Sequence, residues 1–78
     1  MIFQIVQLAT DETGLVVARR ETQPLFQLRE DAMALAEFDA ARTSDDYGYD
    51  AGRDCWWARD RERLVWFVVE PVAEKIAA

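Results

Sequence analysis

Two pairs of neighbouring aromatic residues set the tightest limit on what this chain can fold into. Trp56-Trp57 lies in Asp54–Ala58 (DCWWA) and Trp66-Phe67 in Leu64–Glu70 (LVWFVVE), both short and rich in residues that favour strands. Side chains alternate along a strand, so Trp56 and Trp57 must take opposite faces of a sheet, as must Trp66 and Phe67. Both faces are therefore aromatic. A single helix covers one face, so some of these rings need a second cover: the C-terminal tail, another subunit or a partner. Trp56, Trp57, Trp66 and Phe67 are thus candidates for an interface, with plain core packing as the simpler account of a tryptophan.

The other elements follow from pattern. Met1–Ala9 (MIFQIVQLA) is a strand buried on most of both faces, with only Gln4 and Gln7 polar. Thr10–Gly14 forms a hairpin loop, and Leu15–Glu21 returns as an antiparallel strand ended by Gln23-Pro24. After a connector, Leu25–Leu28, a helix is expected over Arg29–Thr43. Glu30 and Asp31 suit its N-terminal dipole and Arg42 its C-terminal one. Phe38, Leu35, Ala32, Ala36, Ala40 and Met33 form a wide apolar arc on it, interrupted by Asp39. Burial within one small protein and a contact in a homodimer both fit such an arc.

The stretch DDYGYDAGRD reads as an irregular loop from its glycines and aspartates. The last two strands are joined by the charged hairpin Arg59–Arg63, Pro71 stops the ladder, and Val72–Ala78 is a tail with room for one helical turn. The expectation is an α+β fold, β-β-α-β-β, with a four-stranded antiparallel sheet and one helix packed on one face.

At 78 residues the chain is a single domain, and 51% hydrophobic with 31% charged residues is a globular composition. No apolar run approaches the ~20 residues of a membrane helix, and no signal peptide opens the chain, so the expected location is cytoplasmic and no membrane partner is expected. There is no His, one Ser (Ser44) and one Cys (Cys55). The usual base for a hydroxyl or thiol nucleophile is missing and so are zinc ligand clusters, which argues against an enzyme and against a cofactor. Cys55 reads as a buried thiol, with Arg53 as thin support for a reactive one.

Charge is concentrated. Residues 30–54 hold Glu30, Asp31, Glu37, Asp39, Asp45, Asp46, Asp50 and Asp54 against Arg42 and Arg53, which accounts for the entire net charge of −6. The rest of the chain balances. Such a chain is repelled by nucleic acid and anionic membranes, whereas basic partners are favoured. The aspartates at 45, 46, 50 and 54 lack the ligand spacing of a calcium loop. Glu30, Asp31, Glu37, Asp45, Asp46, Asp50 and Asp54, with Tyr47 and Tyr49 as amphipathic rings among them, are the candidate partner-binding residues. Solubility is the plain alternative.

In small size, acidity, lack of catalytic residues and sheet-plus-helix layout the chain resembles the anti-CRISPR proteins of phages, particularly those acting on type I systems. That family shares no motif, so no residue is carried over. The resemblance implies binding to a Cas subunit inside the bacterial host cell, the backbone subunit first among them, and exclusion of target DNA. The alternative from a different class is a homodimeric structural or regulatory module that uses the aromatic sheet face.

Overall fold

The computed structural model describes residues 1–72. Its elements are β1 (Ile2–Thr10), β2 (Val16–Glu21), α1 (Arg29–Thr43), β3 (Tyr47–Asp50), β4 (Cys55–Asp60) and β5 (Arg63–Val72). The strands form one antiparallel sheet in the order β2-β1-β5-β4-β3. The α+β class holds, with five strands in place of the expected four. The additional strand is β3, inside the stretch read as a loop.

Its glycine explains the misreading. Gly48 is the register partner of Trp57, and a Cβ at position 48 would lie 3.0 Å from the Trp57 ring. A residue that signals a break in a polar sequence is here the one that lets a strand pass beneath an indole. Asp50 then closes the turn to β4, its Oδ1 accepting the Arg53 backbone N–H at 3.0 Å, while Asp54 takes the left-handed conformation with φ 52°. Aspartate tolerates that conformation better than most residues.

The centre of the sheet is β1 against β5, with Ile5 opposite Val69 and Val6 opposite Val68. The charged hairpin is shorter than expected: Asp60 pairs with Arg63, leaving a two-residue turn with Arg61 at φ 60°. Pro71 does not stop the ladder, since β5 continues to Val72 beside Ile2. Phe3 exchanges both backbone hydrogen bonds with Phe26 on its other side, at 2.7 and 2.8 Å, so its pairing with Pro71 requires no N–H from the proline. The helical turn considered for Val72–Ala78 lies, beyond Val72, outside the described residues.

Helix α1 occupies the span expected for it, but its buried side is narrow. Ala32, Ala36 and Ala40 are fully buried, one helical turn apart, over Ile5, Ala58 and Phe67. Met33 and Leu35 flank this ridge, and Phe38 is 61% exposed. At ~100° per residue Phe38 falls ~160° from Ala36, so it belongs to the solvent side and the broad arc read from the sequence was centred too far round. There the Arg42 guanidinium lies 5.7 Å from its ring centroid. Alanine brings helix and sheet close together. Among the described residues no helix is long and apolar enough to cross a membrane.

Candidate functional site

The register sorts the four aromatic residues. Trp56 is opposite Phe67, and both lie beneath α1, Phe67 only 1% exposed as core and Trp56 partly buried against it. Phe67 therefore has no surface to offer a partner. Trp57 and Trp66 are opposite one another on the far face, which α1 does not cover.

Arginines do part of the covering there. Arg53 holds its guanidinium 4.4 Å from the Trp66 ring centroid. Arg19 on β2 reaches across β1 to Glu70 on β5, at 3.1 Å, and also pairs with Glu21 at 2.9 Å. The strand it bridges presents Val6, which is fully buried. Long guanidinium side chains lie flat on apolar surface and keep their charge in water, so they serve as a partial second layer. Beside Arg53 remains a concavity of about 450 Å3 with Leu8, Leu64, Trp66 and Val68 among its lining residues. Cys55 lines it too, 2% exposed, and burial pushes its thiol up from the ordinary value, against reactivity.

The acidic residues do not form one uniform strip. Asp46 pairs with Arg59 at 3.1 Å and Asp39 with Arg42 at 3.2 Å. Asp54 accepts the Tyr49 hydroxyl on Oδ1 and the Arg29 guanidinium on Oδ2. The Tyr49 hydrogen bond, then Arg29, hold the Asp54 carboxyl below the usual aspartate range, and the same bond raises Tyr49. Glu30, Asp31, Glu37 and Asp45 are exposed and make no ion pair among the described residues. Of the candidate acids they are the ones left for another molecule, and elsewhere Glu12, Asp60 and Glu62 are exposed without an ion pair among the described residues.

Tyr47 and Tyr49 stand on the helix side of β3, their ring centroids 6.5 and 5.4 Å from that of Trp56. Tyr49 and Trp56 form one wall of a shallow groove of about 530 Å3, and Arg29, Glu30, Met33, Ala34 and Glu37 of α1 form the other, with Asp54 at one end. The fold thus brings Glu30, Glu37, Asp54, Tyr49 and Trp56 together, whereas Asp31, Asp45, Asp46, Tyr47 and Asp50 do not line this groove. Arg29, Met33 and Ala34 were missed, because only the pairing of β3 with β4 brings the edge of the sheet up to this flank of the helix. Among the described residues no group of three or more His, Cys, Asp or Glu could hold a metal ion.

No protein family, curated protein or solved structure matches the chain.

Proposed function

We propose that this protein is a non-catalytic inhibitor that docks its acidic helix face on the basic nucleic-acid-binding groove of a partner, as an anti-CRISPR protein does on a Cas subunit to exclude target DNA. The observation that supports it is that Glu30, Asp31, Glu37 and Asp45 are exposed and make no ion pair among the described residues, whereas Asp39, Asp46 and Asp54 are paired. A carboxylate already paired has little left to offer an arginine, whereas an unpaired one accepts a bidentate guanidinium.

Magnitudes set the scale of the mimicry. From Glu30 to Asp45 the chain rises about 22 Å, a length over which duplex DNA carries about 13 charges. Four free carboxylates fall well short of that. The protein therefore acts as a local plug for a few phosphate-binding arginines and does not replace a whole duplex.

The test is plaque formation by a CRISPR-targeted phage on hosts carrying type I systems, with the wild-type protein or the variant E30Q/D31N/E37Q/D45N expressed beside it. Rescue by the wild type but not the variant, with retention of the purified effector complex on the immobilised wild-type protein weakening as salt rises from ~50 to ~200 mM, supports the proposal. Equal rescue by both proteins removes the acidic face from the account, and no rescue on any type I host removes the anti-CRISPR assignment.

The far face, which α1 does not cover, favours a second reading, a homodimeric regulatory module joined through Trp57 and Trp66. Sedimentation separates the two: a dimer that persists in high salt and dissociates on W57A/W66A substitution belongs to the second, because apolar association is insensitive to screening.

A further inference from the structure

We infer that the groove between α1 and β3 is a receptor for a single arginine side chain of the partner, selecting arginine over lysine; the inference rests on the acidic-docking proposal and deepens it. The walls supply two features that a guanidinium uses and an ammonium uses poorly. One is flat aromatic surface, from Tyr49 and Trp56, whose centroids are 5.4 Å apart with their planes inclined at 56°. The other is a gap framed by carboxylates: Glu30 and Glu37 stand two helical turns, ~10.5 Å, apart on one flank of α1, with the small side chain of Ala34 between them.

Charge complements this shape. The groove holds three carboxylates and one cation, and Asp54 already takes donors on both oxygens from Tyr49 and Arg29. The Arg29–Asp54 pair neutralises that end and leaves Glu30 and Glu37 as the net charge of the site. It also supplies an internal precedent, since a guanidinium rests on a carboxylate beside the Tyr49 hydroxyl within the same groove. An incoming arginine extends the arrangement by one position, its stem over Ala34 and Met33, its plane against Trp56 and its fork on Glu30 or Glu37.

The test titrates the folded protein with the blocked tripeptides Gly-Arg-Gly, Gly-Lys-Gly and Gly-citrulline-Gly, following the Trp56 indole N–H and the Ala34 and Glu37 amides by NMR. Saturable shifts with the arginine peptide are expected, with binding at least about tenfold weaker for lysine and for the uncharged citrulline, the equivalent of one lost charge-assisted hydrogen bond. Ala34→Leu fills the gap at an exposed helical position without altering charge, and it should remove arginine binding while E30Q/E37Q removes it by charge. Equal binding of arginine and lysine peptides, or wild-type affinity in A34L, overturns the inference while leaving acidic docking intact. The absence of saturable shifts with the arginine peptide overturns it as well, and plaque rescue then decides the docking proposal separately.

Discussion

Replacing Ala36 by Leu sets two opposed effects against each other, and the structure decides the sign. Three added carbons would stabilise by about 2.4 kcal/mol if there were room to bury them, at ~0.8 kcal/mol each. Forced into a filled site, they cost about 1 to 3 kcal/mol in strain and displaced backbone. Ala36 is 0% exposed and sits mid-ridge between Ala32 and Ala40, directly over the sheet residues Ile5, Ala58 and Phe67. Ala36 lines neither of the two concavities described above. The burial gain is therefore not realised and the strain dominates. The expected loss is about 2 kcal/mol, against a total stability of roughly 4 to 12 kcal/mol for 78 residues. At 4–8 °C per kcal/mol for a domain of this size, the midpoint should fall by about 8 to 16 °C in thermal unfolding followed by far-UV circular dichroism. A34L, exposed on the same helix, is the control and should change stability by less than ~0.5 kcal/mol. A stability for A36L equal to or above wild type would refute the close helix-to-sheet contact.

Leu35 flanks the ridge and is only partly buried, so L35A should cost about 1 to 2 kcal/mol in urea unfolding, below the 2 to 5 of a fully buried leucine; a larger loss would place it in the core. Asp54 has its folded carboxyl held below the ordinary 3.8 by Tyr49 and Arg29, so its contribution is complete above 3.8 and is lost as pH falls through the lower folded value. D54N keeps a residue that tolerates φ 52°, so it should be less stable than wild type at pH 7 and converge on it as pH drops below 3.8; a gap that is constant with pH would show that the carboxylate charge is not responsible. Cys55 should react with a thiol reagent only through opening of the sheet, at a rate that rises with denaturant; fast labelling of the native protein, independent of denaturant, would contradict its burial.

What the sequence made legible is what depends on period alone. The helix boundaries, the hairpin of β1 and β2 and the opposite facing of Trp56 and Trp57 all follow from alternation or from end signals, which are local. What it hid depends on which strands meet. Gly48 looks like a breaker until Trp57 is known to lie against it, and Pro71 looks like a terminator until Phe3 is found bonded to Phe26 on its other side. Phe38 was misplaced for a different reason: with alanine as most of the buried set, hydrophobicity is a weak guide to the direction a helix faces, and the largest apolar residue drew the arc towards itself. The candidate site was half legible. Its acids and rings could be named, but not that Asp46 and Asp54 are held by Arg59 and Arg29, since those pairs cross between elements.

The same pairs bear on why the acidic face is as negative as it is. Among the described residues the one helix covers one face of the five-stranded sheet and the other face has only a partial second layer, to which two of the arginines that could have balanced the acids of α1 are committed. Arg53 lies on Trp66 and Arg19 bridges to Glu70 over Val6. An apolar side chain in either place would cover the sheet equally well but add exposed hydrophobic area, with the risk of association that such area carries. Arginine covers the surface and remains hydrated. The cost of that solution is local electroneutrality, because a cation committed to a ring or to a distant strand cannot also neutralise Glu30, Asp31, Glu37 or Asp45. The architecture of the far face and the free charge of the helix face are thus coupled through the placement of the arginines. A partner with its own arginines can satisfy the helix face without disturbing the other.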